Sequence, residues 1–328
     1  MQTNRWFLDH LFVLSAAKGD ETALAPQKYV QCVLGRGITM SFALELEHEN
    51  LNLEDKISTM RENKINISPI FKWIRYEKHI IEEIKKHVPK SFSSYWEPYT
   101  GGGALLFDIQ HKRSVINVCD EELYNIYRVI RDDVNALIEE LKKHKNEKEY
   151  YYELRDMDTA GMSSVENAAR NIYLNKTCFN GFFRKSESGQ FDVPFGSYKN
   201  PRFTNKIILK GISAYLKEQD VKLISRKFES FAESIPKDSF IYIAPENNFR
   251  SQKCYDFNGC ARLKNICDRL DAKGVKFLIS HSYNDQICDI FNSYEIIKVK
   301  VNRNISSVNF KNDESKEIII KNYATNVT

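Results

Sequence analysis

Four residues at the end of an apolar strand are the first candidates for chemistry in this sequence. Residues 239–243 (SFIYI) have the pattern of a buried strand and run directly into Ala244-Pro245-Glu246-Asn247. In open α/β sheets, ligands and catalytic groups collect outside the carboxyl ends of the strands. An acid is therefore expected directly after the strand, but Ala244 offers no proton acceptor. Glu246 is the carboxylate that this tetrapeptide retains.

A basic and aromatic stretch in the middle of the chain is the second candidate. Between Asn171 and Lys210 the sequence holds seven basic and two acidic residues, an excess larger than the net charge of +4 of the whole chain. Residues 179–185 and 190–196 look like a hairpin in which cations and rings are interleaved. Such residues suit DNA, because cations meet phosphates, arginine reads guanine edges and rings wedge into the base stack. From this pattern alone, a solvated basic hairpin is an equally good interpretation.

A glycine-rich turn is the third candidate. Residues 95–97 form a short predicted strand, Thr100-Gly101-Gly102-Gly103 follow it, and residues 104–107 begin a predicted helix. A strand, a glycine-rich turn and a helix in this order make room for a nucleotide-like ligand against backbone N–H groups. A lone triple glycine is explained equally well by a tight structural turn.

These candidates require a sheet whose strand ends lie close together. Strand character occurs at residues 113–118, 221–224, 240–243, 275–280, 295–301 and 316–320. Helical spacing occurs at residues 76–88, 123–130, 134–144, 148–157, 164–177, 258–270 and 284–291, with Ser164 as the predicted N-cap of the helix at residues 164–177. Strands that alternate with helices and end in an antiparallel-looking pair predict a mostly parallel, doubly wound α/β sheet.

The same pass along the chain predicts the domain organisation. Residues 1–66 carry no recognisable motif and are interpreted as an N-terminal extension of unknown role. Residues 67–328 are predicted to form the main domain, in which residues 134–210 are an inserted lobe.

The composition predicts a protein without a membrane span. Its 328 residues have 28% charged side chains and a mean hydropathy of −0.48, and no apolar run approaches the roughly 20 residues that cross a bilayer. Asp9 and His10 interrupt the apolar stretch at residues 6–14, so a short amphipathic helix fits it better than a secretory signal. The seven cysteines are scattered without paired CxxC spacing, which predicts no zinc site and a reducing cytoplasm.

Three blocks in fixed order identify a family. Residues 97–104 (EPYTGGGA), 174–184 (LNKTCFNGFFR) and 189–199 (GQFDVPFGSYK) together resemble the Dam-type, D12 class DNA adenine-N6 methyltransferases. The resemblance implies a Rossmann-like class I methyltransferase sheet with an inserted recognition lobe of helices and a β-hairpin. It also implies methyl transfer from S-adenosyl-L-methionine to the amine of an adenine flipped out of duplex DNA, usually within GATC.

The resemblance implies a DNA interface built from residues of these blocks and of the segment before them. Its members would contact guanine edges, make apolar contacts with bases, or fill the gap left by the flipped adenine. In that order they are Lys72 and Arg184, then Phe182 and Pro194, then Phe179 and Asn180, and the further implied DNA-binding residues are Asn175, Tyr198 and Lys199.

The cofactor positions implied by the resemblance carry unexpected residue types. Ala244–Asn247 stands where the family has Asp-Pro-Pro-Tyr, so the acceptor and the stacking ring are missing. Val118 stands at the ribose-binding acid, and Asp120 or Glu121 would replace it only after a shift of register. Lys227 stands at the acid beside the cofactor's adenine, and bulky residues replace two glycines in residues 72–78 (KWIRYEK). The implied cofactor positions are Trp73, Lys78, Gly101, Gly102, Gly103, Val118, Asp120 and Lys227.

Three hypotheses follow. In the first, a pseudo-methyltransferase without cofactor binds double-stranded DNA at a GATC-like site, as a regulator, a targeting subunit or the heterodimer partner of an active methyltransferase. In the second, an active adenine-N6 methyltransferase uses S-adenosyl-L-methionine with Glu246 as the acceptor. In the third, a scaffold has lost DNA binding and docks a protein partner through its N-terminal extension. The expected location is the cytoplasm, at the nucleoid.

Overall fold

The computed structural model describes residues 28–34, 38–44, 67–71, 78–181, 186, 189–245, 259–301 and 315–324. The chain forms two compact units, Met1–Ile65 and Asn66–Thr328. In the first unit, β1 (Lys28–Leu34) and β2 (Ile38–Leu44) pair antiparallel, with Lys28 opposite Leu44. The role of this unit stays open.

The second unit is built on a seven-stranded sheet. Its strands are β3 (Tyr95–Glu97), β4 (Ser114–Asn117), β5 (Lys222–Ile224), β6 (Phe240–Ile243), β7 (Lys276–Ser282), β8 (Glu295–Val301) and β9 (Ser315–Lys321). They lie in the order β5-β4-β3-β6-β7-β9-β8. The strands from β5 to β7 are parallel, and β9 runs antiparallel to both β7 and β8. The predicted α/β, Rossmann-like sheet is therefore confirmed, including its antiparallel pair.

The helices described in the second unit connect these strands and build the lobe between β4 and β5. They are α1 (Lys78–His87), α2 (Ala104–Ile109), α3 (Glu121–Asp132), α4 (Val134–Leu141), α5 (Lys148–Asp156), α6 (Ser164–Thr177), α7 (Lys206–Glu218), α8 (Gly259–Ala272) and α9 (Asp285–Ile290). Helix α7 was not predicted as a helix. No helix in the described ranges is long and apolar enough to cross a membrane.

One helix boundary corrects the sequence analysis. Ser163, not Ser164, is the N-cap of α6. The Ser163 hydroxyl accepts from the Glu166 N–H at 3.2 Å, and the Glu166 carboxylate accepts from the Ser163 N–H at 2.8 Å. This reciprocal capping box satisfies two N–H groups at the helix start. The segment S-S-V-E offers two serines, and the spacing to the glutamate selects the first.

The second unit has separate apolar clusters in the sheet and in the lobe. All four residues of β6 are buried, as expected for a central parallel strand covered on both faces. On one face, Ile241 and Ile243 pack with neighbouring strands and with Leu263 of α8. In the lobe, a second cluster contains Tyr151, Tyr173, Leu174, Cys178, Phe191 and Val193.

The predicted hairpin at residues 179–196 is described only in part, because residues 182–185 and 187–188 lie outside the described ranges. An isolated antiparallel bridge joins Cys178 to Phe195, residues 179–181 form a single 3₁₀ turn, and the Ser186 N–H donates to the Gln190 carbonyl at 2.7 Å. Phe191 and Val193 belong to the lobe core. The full hairpin therefore stays a prediction.

Candidate functional site

The amide of Asn117 joins the carboxyl ends of three neighbouring strands. Asn117 ends β4 and is buried. Its Nδ2 donates to the carbonyl oxygens of Pro98, at 2.8 Å, and Arg226, at 2.9 Å, which follow β3 and β5. Its Oδ1 accepts from the Arg226 N–H at 2.8 Å. Protein groups therefore fix the frame of this edge, a role that sequence reasoning missed although a polar residue ending an apolar strand signals it.

Steric constraints explain why residue 103, in the turn after β3, is a glycine. This residue caps α2 with φ 68° and ψ 33°, in the left-handed region that glycine adopts without strain. A Cβ at Gly103 would lie 2.8 Å from the Tyr127 hydroxyl oxygen, which itself donates to the Gly101 carbonyl at 2.8 Å. Packing against Tyr127 thus explains Gly103 as part of a tight turn. A ligand contact of Gly101 and Gly102 stays a prediction.

The position that the resemblance gives to the ribose-binding acid lies inside the protein. Val118 is fully buried, and its N–H donates to the Ile224 carbonyl at 2.9 Å. Asp120, the predicted substitute, is the N-cap of α3, where its Oδ1 accepts from the Leu123 N–H at 2.9 Å. Between them, Cys119 is disulfide-bonded, which its scattered spacing did not predict. The exit of β4 therefore places a valine and a helix-capping aspartate where the ribose would be held.

A buried carboxyl that sequence reasoning missed closes β3. Glu97 is 4% exposed, and the Tyr95 hydroxyl donates to its Oε2 at 2.8 Å. Burial raises the pKa of Glu97 from 4.5 to about 7, against the lowering effect of the Tyr95 hydrogen bond. Burial also raises the pKa of Tyr95 and of Tyr127 well above the usual value for a phenol. Near neutral pH, Glu97 is therefore present both protonated and ionised.

The residues that follow β6 and β5 include buried apolar groups. After β6, Ala244 is half-buried and Pro245 is buried. After β5, Lys227 is exposed, while Phe228 is fully buried and its ring meets Tyr99 edge-on with 5.8 Å between centroids. Phe228 and Tyr99 therefore form an aromatic contact after β5 and β3, and the cation Lys227 lies where the resemblance implies an acid.

A left-handed bend follows α6, and we call residues 178–181 the recognition turn. Asn180 has φ 59° and Gly181 has φ 69°. The Asn175 side chain is 1% exposed and donates from Nδ2 to the Gly181 carbonyl at 2.8 Å. Its position in α6 therefore supports the turn from below. Phe179 is 46% exposed, so the turn presents an aromatic ring and the exposed Asn180 side by side.

A second segment, residues 194–199, runs beside the recognition turn. The Phe179 N–H donates to the Pro194 carbonyl at 2.8 Å, and the Gly196 N–H donates to the Thr177 carbonyl at 2.8 Å. A Cβ at Gly196 would lie 2.7 Å from the Cys178 carbonyl oxygen, so this approach requires glycine. The segment then presents exposed Tyr198 and Lys199. The structure thus brings together five predicted DNA-contacting residues, namely Phe179, Asn180, Pro194, Tyr198 and Lys199.

Buried tyrosines of the lobe pack against Cys178 of the recognition turn and against Val193, which leads into the second segment. The Tyr151 hydroxyl donates to the Val193 carbonyl at 2.7 Å, and the Tyr173 hydroxyl donates to the Lys145 carbonyl at 2.7 Å. His144 stacks on Tyr173 with 4.8 Å between centroids, and burial lowers its pKa to about 4. His144 is therefore a neutral packing residue at physiological pH.

Several predicted site residues lie outside the described part of the chain. They are Lys72, Trp73, Phe182, Arg184, Glu246 and Asn247, together with the side chain of Lys78. Among the described residues, no cluster of histidine, cysteine, aspartate or glutamate is placed to hold a metal ion.

The sheet order, the glycine turn after β3 and the lobe between β4 and β5 define a class I methyltransferase fold with a recognition insertion. A sequence profile of the D12 class N6 adenine-specific DNA methyltransferases matches residues 78–305. The chain belongs to this family, whose members use S-adenosyl-L-methionine as methyl donor and DNA as substrate.

Three curated relatives are similar in sequence to this chain over most of their own length. A type II methyltransferase of Lactococcus lactis subsp. cremoris is 33% identical over 282 residues, covering 81% of this chain and 99% of the relative. A type II methyltransferase of Methanocaldococcus jannaschii is 34% identical over 294 residues, covering 79% and 100%. A DNA adenine methylase of Haemophilus influenzae is 28% identical over 272 residues, covering 78% and 94%.

The described residues do not fit the family's cofactor at its ribose. The hydroxyls of a ribose need a carboxylate or another acceptor, but Val118 is apolar and fully buried, and the Asp120 carboxylate caps α3. Lys227 is exposed and puts a positive charge at the position that the resemblance gives to the acid beside the adenine. No catalytic step through the cofactor follows from this arrangement.

Proposed function

We propose that this family member binds duplex DNA through its recognition lobe without transferring a methyl group, as a regulator, a targeting subunit or the heterodimer partner of an active methyltransferase. The observation that carries the proposal is the buried Val118 at the ribose position beside an otherwise well-ordered strand frame. A frame with good hydrogen bonds and a missing ligand group points to lost binding rather than to a lost fold.

The two missing acids determine how much weaker the binding of S-adenosyl-L-methionine is expected to be. A hydrogen bond to a charged group contributes about 1.5 to 3 kcal/mol, and the positions of Val118 and Lys227 lack two of them. Their loss weakens binding of S-adenosyl-L-methionine by roughly a hundredfold to ten-thousandfold. Ala244 removes the acceptor for the adenine amine in addition.

The DNA side supports the other half of the proposal. Phe179 and Tyr198 are 46% and 41% exposed, and their backbone is fixed by hydrogen bonds, since the Phe179 N–H donates to the Pro194 carbonyl and Asn146 Nδ2 donates to the Tyr198 carbonyl. Exposed rings on a fixed backbone are suited to stack on, or wedge between, bases. Lys199 adds a cation beside them, and Arg184, which lies outside the described residues, is the proposed contact to a guanine edge.

Two titrations of the same preparation test the proposal. Calorimetry with S-adenosyl-L-methionine is expected to give no measurable heat, and fluorescence anisotropy is expected to show binding of a GATC duplex that weakens in Arg184→Ala. The matched control is Arg113→Ala, an exposed arginine before β4 at the opposite edge of the sheet. Methyl transfer by the purified protein would overturn the proposal, and absence of duplex binding would leave only the scaffold hypothesis.

One observation favours an active enzyme as the second candidate. Pro245 is buried directly after β6 and its ring restricts the backbone there, and Glu246, which lies outside the described residues, follows it in the sequence. Labelled methyl incorporation into DNA that disappears in Glu246→Ala would establish this candidate. Labelling at the level of a protein-free blank would exclude it.

A further inference from the structure

A basic segment without acids runs from the segment beside the recognition turn into α7. Residues 193–217 contain four lysines and one arginine and no aspartate or glutamate. We call Arg202, Lys206 and Lys210 the flanking strip. Arg202 and Lys206 are exposed and Lys210 is half-buried. Neither the recognition turn nor the cofactor site uses these three residues.

The flanking strip has no partner of its own in the described protein. No hydrogen bond or ion pair of these three side chains is found among the described residues. The charge of Lys206 contributes to lowering the pKa of Glu139, but the Glu139 carboxylate already forms an ion pair with Lys142, whose Nζ lies 2.6 Å from Glu139 Oε1. The strip is therefore a patch of uncompensated positive charge.

The segment that carries the strip packs against α6, the helix that leads into the recognition turn. Phe203, next to Arg202, packs edge-on against Tyr173 with 5.3 Å between ring centroids. Tyr173 lies on α6 about one helical turn before Thr177, the last residue of that helix, and the recognition turn follows at Cys178. Asn205 then caps α7, because its Oδ1 accepts from the Ile208 N–H at 3.3 Å, and this places Lys206 at the first helical position.

Folding gives no reason for cations at this place. The first turn of α7 contains no acidic residue, and a lysine there opposes the helix dipole. Ile207, beside Lys206, is 50% exposed. A helix start that is unfavourable for the isolated protein becomes favourable when an anion lies against it.

We propose that the flanking strip binds the phosphate backbone of duplex DNA outside the base pairs that the recognition turn contacts. The inference rests on the DNA binding proposed above and extends it to a second surface. Lys206 and Lys210 are about 6 Å apart on one helix face, so they reach neighbouring phosphates. Phosphate contacts carry no base information, so the strip adds affinity and a preference for longer duplexes without changing the sequence read.

The test compares two triple variants on two duplexes. Arg202→Ala/Lys206→Ala/Lys210→Ala removes the strip, and Lys90→Ala/Lys112→Ala/Arg113→Ala removes the same charge from exposed positions before β3 and β4. Anisotropy titrations over a salt series use a GATC duplex of about 24 base pairs and one of about 8. For the long duplex we expect the strip variant to bind at least about tenfold more weakly, with a slope of log K against log salt reduced by about 2 to 3.

The short duplex and the control variant separate the possible outcomes. Wild type and strip variant are expected to bind the short duplex alike, and the control variant to match wild type on both. If wild type binds the long duplex and the strip variant shows the same slope of log K against log salt, the proposed role of the flanking strip is wrong. The proposed function is unaffected by that result. If wild type binds neither duplex, the proposed function fails and the strip with it.

Lys206→Glu distinguishes a loss of DNA affinity from a loss of protein stability. A carboxylate at the first position of α7 agrees with the helix dipole, so the melting temperature is expected to be equal to or higher than that of wild type. Affinity for the long duplex is expected to fall further than in Lys206→Ala. A variant that melts normally and binds the long duplex like wild type contradicts the proposal.

Discussion

Glu97 makes the stability of the sheet depend on pH. Its pKa is about 7 in the folded protein against 4.5 for an unperturbed carboxyl. A group whose pKa rises on folding holds its proton more tightly in the folded state. Its stabilising contribution is therefore complete below about pH 4.5 and is lost as the pH rises through about 7.

Glu97→Gln is expected to remove this part of the pH dependence. Glutamine still accepts the hydrogen bond from Tyr95 but does not ionise. The free energy of unfolding of the variant should exceed that of wild type by up to about 3 kcal/mol at about pH 8.5, and the difference should shrink towards about pH 5. Urea unfolding at both pH values measures it, with exposed Glu149→Gln as control. A difference that does not change with pH would contradict the assignment.

Gly103 is a second residue whose identity is set by packing. Gly103→Ala combines a left-handed backbone with a Cβ at 2.8 Å from the Tyr127 oxygen, so we expect a loss of about 2 kcal/mol in the free energy of unfolding. Gly161→Ala, where the Cβ meets nothing within 4 Å, is the matched control. Adding Tyr127→Phe should return part of the loss, because the clashing oxygen is gone. Independent effects of the two substitutions would refute the contact.

At the scale of elements, the sequence predicted what local patterns control. The continuous apolar run of β6 and the helical spacing of α6 gave bounds close to the observed ones, since burial on both faces and amphipathic spacing leave few alternatives. The glycine turn was also placed correctly, because the order of strand, glycines and helix is a local pattern. The residue types at Val118 and Lys227, where the resemblance implies acids, are read directly from the sequence, whereas their assignment to the cofactor site stays a prediction.

The remaining features depend on contacts between distant segments. The insertion of β9 between β7 and β8 is decided by pairing across the fold, as in the register of Ile279 with Ile320. The Asn117 link to Arg226 joins residues 109 positions apart, and the steric demand for Gly103 comes from Tyr127 on another element. No local pattern in the chain contains these relations.

Gly196→Ala tests how the recognition turn is positioned by the segment beside it. Its Cβ would lie 2.7 Å from the Cys178 carbonyl oxygen and 2.6 Å from the Tyr198 ring, so the two segments must move apart. We expect a stability loss of about 1 to 3 kcal/mol and a clear loss of affinity for a GATC duplex. Thermal melting and anisotropy measure both, with Gly161→Ala again as control. Duplex affinity equal to that of wild type would show that the turn does not depend on this approach.

At the scale of the whole second unit, its two surfaces have separate supports. The cofactor edge is held by the sheet frame around Asn117, whereas the recognition turn is held by the tyrosine cluster of the lobe. Substitutions at the strand exits therefore need not disturb the lobe, because neither Val118 nor Lys227 is part of the lobe cluster. This separation makes the proposed loss of methyl transfer compatible with the proposed DNA binding, and it predicts that restoring the acids restores cofactor binding.

Rebuilding the missing groups in two steps tests that conclusion. Val118→Asp/Lys227→Asp returns two acids to the cofactor edge, and binding of S-adenosyl-L-methionine is expected to improve by about a hundredfold to ten-thousandfold. The control pair Val115→Asp/Lys222→Asp makes the same change in charge at residues paired across β4 and β5, away from the strand exits. It is expected to bind no cofactor.

Adding Ala244→Asp, Glu246→Pro and Asn247→Tyr to the first pair restores the acceptor and the ring, so labelled methyl transfer into a GATC duplex is expected only in this combined variant. Because an aspartate at buried Val118 costs stability, the melting temperature of each variant is measured first, and binding is compared well below it. Folded variants that gain neither cofactor binding nor methyl transfer would place the defect elsewhere in the protein and would contradict the account based on missing acids.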